Sequence, residues 1–155
     1  MTRRRWLALA GALRGPARLT PVDEAGYRKL LEAERGQVLL VDFWATWCQP
    51  CRVELPLLVK LEAKYRGRGL KLITISCDEP EQEADAARFL AQCQVKGPAY
   101  IKRAASDDRF IASVDAKWSG ALPALFFYDR QGRKARSFLG ETEVAAVEAA
   151  LGKLW

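Results

Sequence analysis

The sequence predicts an α/β domain, a central mixed sheet flanked by helices on both faces. Three observations predict it. Short apolar runs alternate with stretches whose apolar residues recur at helical spacing. One run, Val38-Leu39-Leu40-Val41-Asp42-Phe43, is almost wholly apolar, the pattern of a strand buried on both sides of a parallel sheet. Late in the chain, Asp129-Arg130-Gln131-Gly132 parts two strand-like runs by a tight turn, which adds an antiparallel hairpin.

Residues 1–19 form an extension ahead of a domain spanning 20–155. Arg3-Arg4-Arg5 gives it a positive start, Trp6 to Leu13 a short apolar run, and Gly15-Pro16-Ala17 a small-residue cleavage site. That opening resembles a twin-arginine export signal and reads as an export signal or anchor remnant. A basic extension or an extra N-terminal strand is the alternative.

Thr20-Pro21-Val22-Asp23 reads as a helix start, with Thr20 as cap, Pro21 in the first turn and Asp23 closing a capping box. Tyr27, Leu30 and Leu31 supply its apolar stripe, and Gly36 ends it. The buried strand Val38–Ala45 leads into a helix reaching Tyr65, which Pro56 is expected to kink. A second strand covers Leu70–Cys77. Asp78-Glu79-Pro80 opens a third helix, stopped by Gly97-Pro98. Ala99–Lys102 reads as a short strand and Asp107–Trp118 as a helix with Phe110, Ile111, Val114 and Trp118 on one side. Leu122-Pro123 precedes the strand Ala124–Asp129, and Lys134–Leu139 returns as its hairpin partner. A last helix, Glu141–Leu154, carries acids in its first turn and turns Val144, Val147 and Leu151 inward.

Composition narrows the function. At 155 residues the chain is one domain, long enough for a sizeable core. Lys and Arg outnumber the acids by a net charge of +6, but they are scattered and form no basic stripe, so no nucleic-acid partner is expected. No stretch approaches the roughly 20 apolar residues that span a bilayer. Histidine is absent. That excludes Ser-His-Asp and Cys-His catalysis, a His-ligated metal, a Cys-x-x-Cys-His haem attachment and a Cys-Pro-His-Cys oxidant.

What remains is a cysteine pair, Cys48-Gln49-Pro50-Cys51, standing where the buried strand hands over to a helix. Free N–H groups and the helix dipole favour a thiolate there, and in such motifs a cysteine pKa falls from about 8.5 to about 7 or lower. Pro50 suits the first helical turn, where its missing N–H has no helical partner. Cys48, nearer the open end, is the expected nucleophile, and Cys51 the resolving thiol. A zinc knuckle is the alternative for a Cys-x-x-Cys, but Cys77 and Cys93 are too far apart to supply the second pair. Trp47, beside the nucleophile, reads as part of an apolar rim for a substrate peptide, and Trp44 as core. Asp42 lies six residues before Cys48 inside an apolar strand, and Glu54 three after Cys51 on the same side of the helix. A carboxylate buried near a thiol has its pKa raised and can take the Cys51 proton, whereas a solvated Glu54 is the plainer reading.

The segment Val41-Asp42-Phe43-Trp44-Ala45-Thr46-Trp47-Cys48-Gln49-Pro50-Cys51 resembles the active-site signature of the thioredoxin superfamily. Its continuation through Glu54 and Pro56 resembles the TlpA-like or ResA-like branch. The resemblance runs from about Val38 to the C-terminus. It implies a thioredoxin-like fold with a βα insertion before the strand that follows Pro123, and it implies that the Leu122–Pro123 bond is cis and lies against the cysteine pair. The residue before that proline, with Trp47, Gln49 and Pro50, would hold the substrate. It places Asp42 at the buried carboxylate of thioredoxins, a position where TlpA-like relatives often have Asn.

The same resemblance implies a thiol–disulfide oxidoreductase of protein disulfides, exported from the bacterial cytoplasm and tied to cytochrome c maturation. A cytoplasmic location is the alternative. Its partners would be protein thiols or disulfides and an upstream electron donor. It would be a monomer, associated with a membrane only if the N-terminus anchors it. It would need no metal or other cofactor beyond the redox-active Cys48–Cys51 disulfide. Gln49-Pro50 without a histidine favours reduction over oxidation. A disulfide-forming oxidant and a non-catalytic thioredoxin-like binding module stand as alternatives; a peroxidase fits less, because peroxiredoxins use Thr-x-x-Cys. Cys77 and Cys93 read as free thiols packed in the core, with a mutual disulfide the alternative in an oxidising compartment.

Overall fold

The structure is a computed structural model that describes residues 18–155. The expected export signal or anchor therefore lies outside the described residues.

Among the described residues eleven elements follow one another: β1 (Thr20–Val22), α1 (Glu24–Ala33), β2 (Val38–Trp44), α2 (Gln49–Tyr65), β3 (Leu70–Ser76), α3 (Glu83–Gln92), β4 (Ala99–Lys102), α4 (Asp107–Val114), β5 (Ala124–Tyr128), β6 (Lys134–Leu139) and α5 (Val144–Leu151). One six-stranded sheet has the order β1-β4-β3-β2-β5-β6. The first four strands are parallel, and β5 and β6 are antiparallel. All seven residues of β2 are buried, because it lies mid-sheet with helices on both sides. The hairpin turn carries Gly132 at φ +80°, a conformation glycine adopts without penalty. β4 and α4 form the expected insertion.

Alternation along the strands sorts the core into two halves. Leu39, Val41 and Phe43 of β2 face α1 and α4, with Tyr27, Phe110, Trp118 and Phe126. Val38, Leu40 and Trp44 face α2, α3 and α5, with Cys51, Leu55, Leu58, Leu90, Val147 and Leu151.

Several boundaries differ from the sequence reading. Thr20–Val22 is an edge strand paired with β4, not the start of a helix. An edge tolerates Pro21, which has no N–H to give, and Leu19 ahead of it is buried in the α2-side core. α1 takes Asp23 as its cap instead, its carboxylate accepting from Gly26 N at 2.8 Å. α4 stops at Val114 because Asp115 turns extended and its carboxylate accepts from Lys117 N and Lys134 Nζ. Trp118 is still buried against Phe43, at 4.7 Å between ring centres. α5 begins at Val144, which leaves Glu141 and Glu143 in the lead-in instead of the first turn. α2 runs through Pro56 to Tyr65, one backbone donor short.

Candidate active site

The site lies at the C-terminal end of β2. After Trp44 the chain turns through Ala45–Cys48, closed by Cys48 N donating to Ala45 O at 3.1 Å. Cys48 then caps α2 in extended geometry, and Cys51 N donates to its Sγ at 3.4 Å. A sulfur at that position faces the unpaired N–H groups of a helix start, which favours negative charge on it. Cys48 and Cys51 form a disulfide, Cα to Cα 5.3 Å, with Cys51 the more deeply buried.

Both predicted acids are buried on the side of the sheet that carries this pair. Asp42 projects from β2 on the α2 side, pairing in register with Thr74 and Leu125. Glu54 lies on the same buried face of α2 as Cys51. Burial, with Glu141 adding repulsion, pushes the Glu54 carboxyl up to about 7. Burial first and then Glu54 hold Asp42 well above the usual carboxylate range. Asp42 Oδ2 and Glu54 Oε1 have no hydrogen-bond partner in the protein. The plain alternative for Glu54, a solvated helix residue, does not hold.

The Leu122–Pro123 bond is cis. The residues expected to hold substrate divide between two clefts. Gln49 and Pro50 line one of about 480 Å³ with Val53, Glu54, Leu57 and the segment 141–144. Trp47 and Leu122 line another of about 360 Å³, together with Cys77 and Trp118. Trp47 is 63% exposed, while Trp44 is wholly buried.

Cys77 and Cys93 are free. They lie on opposite sides of the sheet, Cys77 with the α4-side core and Cys93 with the α2-side core, so they cannot pair. Both are half-buried. Burial pushes the Cys77 thiol up to about 12, which makes it a poor nucleophile. Among the described residues no cluster of His, Cys, Asp or Glu side chains converges as a metal site.

Sequence reasoning missed two acids here. Glu141, expected in a helix, sits across the cleft from Glu54. Asp78, read as a helix opener, turns its carboxylate back to Thr46 in the active-site turn. The 3-10 turn that follows (Pro80–Gln82) is capped by Glu79. The signal was faint: an acid two residues past a strand end whose serine can share it.

The AhpC/TSA family matches residues 17–134. The chain belongs to that family. Thiol-disulfide oxidoreductase ResA of Bacillus cereus is 29% identical to it over 132 residues, which cover 85% of this chain and 72% of the relative. Among solved structures, one assigned as thiol:disulfide interchange protein DsbE from Chlorobium tepidum is 26% identical, with a TM-score of 0.66 over 80% of this chain and 84% of that one. A thioredoxin family protein from Chlorobium tepidum TLS shares the fold at 21% identity, with a TM-score of 0.65 over 89% and 97%. This AhpC/TSA member is thus a thiol–disulfide oxidoreductase with a thioredoxin-like fold, and it contains a Cys48–Cys51 pair.

Proposed function

We propose that the chain reduces disulfides in protein substrates, with Cys48 as nucleophile, Cys51 as resolving thiol and Glu54 as the group that moves the Cys51 proton. The observation that carries this reading is the stacking of all three on the buried start of one helix, with Glu54 pushed up to about 7. A carboxyl near that value accepts a proton at neutral pH and returns it in the reverse step.

In the reduced enzyme, the Cys48 thiolate attacks one sulfur of the substrate disulfide, and the other substrate sulfur leaves as a thiolate. A mixed disulfide on Cys48 results. Glu54 takes the proton of Cys51, whose thiolate attacks Cys48 Sγ and releases the second substrate sulfur. Two electrons pass to the substrate, and Cys48–Cys51 closes to the disulfide seen here. An upstream dithiol donor reopens it. Burial and Glu141 raise Glu54, and a charged Glu54 in turn keeps Asp42 protonated, so Asp42 is a second buried proton store on the same side of the sheet. Trp47 and Leu122, with the cis Pro123, offer the surface on which a substrate peptide lies.

The reducing direction rests on Gln49-Pro50, which places no cation beside Cys48 to favour the reduced form. The names of the relatives support disulfide exchange on protein partners. The basic opening supports an extracytoplasmic setting, which cell fractionation of the full chain would test. No helix among the described residues is long and apolar enough to cross a membrane. The chain acts as a monomer whose only redox carrier is its own disulfide.

Titration against dithiothreitol or glutathione tests the direction. The expected potential lies below about −200 mV. A value near about −120 mV, with Cys51→Ser trapping partners that carry newly made disulfides, would make the chain an oxidant instead.

A further inference from the structure

Asp78 is buried at the point where the sheet stops. The last rung between β2 and β3 is Cys77 N donating to Trp44 O at 2.7 Å. Had the parallel ladder continued, Thr46 N would have met a backbone carbonyl of the β3 continuation. It donates instead to both oxygens of the Asp78 carboxylate, at 3.0 Å each. Thr46 Oγ1 donates to Oδ1 at 2.6 Å and Ser76 Oγ to Oδ2 at 2.7 Å, while Asp78 N donates back to Ser76 Oγ at 3.0 Å. Arg103, just past β4, donates to the Asp78 carbonyl at 2.9 Å. One side chain therefore joins the exit of β2 to the end of β3, and its backbone ties both to the exit of β4.

The turn it grips is Ala45–Cys48. That turn has one internal backbone bond, and it must deliver Trp47 to the surface and Cys48 to the helix start one and two residues after Thr46. We propose that Asp78 is a positioning residue for thiol–disulfide exchange, holding this turn so that Cys48 Sγ stays against the free N–H groups of α2. The proposal rests on Cys48 being the attacking sulfur. Asp78 touches no reacting atom and acts through Thr46. Hydrogen bonds to a carboxylate are stronger than those between neutral groups, and this one takes both the N–H and the hydroxyl of Thr46, which suits a turn that has to keep its shape while the neighbouring disulfide opens and closes.

Two opposed effects separate alignment from charge. Loss of alignment withdraws the helix-start N–H groups from the thiolate and raises the Cys48 pKa. Loss of a nearby negative charge lowers it. Asp78→Asn removes the charge and presents donors where acceptors were needed; Thr46→Val keeps the charge and removes one donor. The other titratable and charged groups near the turn, Glu54, Arg52 over the Phe89 ring, and Asp85 and Arg88 in the cleft that Thr46 and Trp47 line, are the same in both variants.

The test is the pH dependence of iodoacetamide alkylation of the reduced full chain, read by mass spectrometry on the Cys48 peptide so that Cys93 does not contribute, with melting curves alongside. Both variants are expected to raise the Cys48 pKa, Asp78→Asn by about half a unit, on the scale of a helix-terminus effect. Below the pKa that is about a threefold loss of alkylation rate. If both variants melt earlier but alkylate as the parent does, Asp78 only supports the fold. If Asp78→Asn lowers the pKa and Thr46→Val leaves it unchanged, charge rather than alignment is at work. Either outcome overturns the proposal. Should Asp78→Asn fail to fold, Thr46→Val decides alone. A parent that fails to reduce protein disulfides removes the proposed function and leaves this comparison intact, because alkylation needs no substrate.

Discussion

The two faces of the sheet are built to different rules. On the side of α1 and α4 the core is aromatic, with Phe43 surrounded by Tyr27, Phe110, Trp118 and Phe126 at ring separations of 4.7–6.1 Å. The polar tips there are paired: Tyr27 Oη with Tyr128 Oη at 2.7 Å, and Trp118 Nε1 donating to Ala121 O at 2.9 Å. On the side of α2, α3 and α5 the core is mostly aliphatic, and Asp42 Oδ2, Trp44 Nε1, Glu54 Oε1 and Thr74 Oγ1 are buried with no partner in the protein. An unpaired buried polar group costs about 1–3 kcal/mol. One face thus has its polar tips satisfied, while the face that carries the cysteine pair holds unpaired groups that weaken the fold, two of which the proposed mechanism draws on.

The largest test of that contrast is Phe110→Ala. The ring is fully buried in the aromatic face, on the insertion helix. Its removal should cost about 3–5 kcal/mol by chemical denaturation and leave the redox potential of the folded protein as in the parent. A potential that moved with it would break the division between scaffold and machinery.

Glu54→Gln should act the other way. The folded carboxyl titrates near 7, the unfolded one near the ordinary 4.5. Between those values the folded chain keeps a proton that the unfolded chain releases, so stability falls as pH rises through the window. Asp42, raised in the same direction, adds a fall of the same sign. Gln does not titrate. At pH 7.5 the variant should therefore be more stable than the parent by roughly 1–2 kcal/mol after allowance for partial solvent access, with equal stability near pH 4.5. Denaturation midpoints across that range check it.

Thr74→Val should give the smallest effect. It replaces an unpaired buried hydroxyl by a methyl group, and a gain of up to about 1 kcal/mol is expected with exchange rates unchanged. A fall in rate instead would add Thr74 to the proton-handling groups.

Sequence legibility follows the same division. Strands β2, β3, β5 and β6 and the helix after the cysteines are readable, because continuous burial and helical periodicity are local patterns. The placement of Cys48 and Cys51 at a helix start and the burial of Asp42 and Glu54 are readable, because a strand-to-helix handover and a carboxylate inside an apolar strand are local patterns. The ends are not. Thr20-Pro21-Val22 reads locally as a helix cap, and only pairing with β4, far along the chain, makes it a strand. The reach of Asp78 to Thr46 crosses 32 residues and depends on two strands ending level with each other. Glu141 reads as a helix residue, and its approach to Glu54 is set by how α5 packs on α2. Cys77 and Cys93 read as free core thiols and are free; what the sequence leaves open is their mutual disulfide, which the sheet between them rules out.

The proposed mechanism turns on Glu54 handling the Cys51 proton. The most direct measurement of that step is the pH dependence of mixed-disulfide resolution, followed by stopped flow on a preformed Cys48 adduct in the parent and in Glu54→Gln. The parent should show an inflection near 7, the value to which burial pushes Glu54, and the variant should lose it and slow by roughly 10²-fold, the lower end of what a positioned acid or base contributes. Superimposable profiles for the two proteins would contradict the claim and leave Glu54 a buried acid with no part in the exchange.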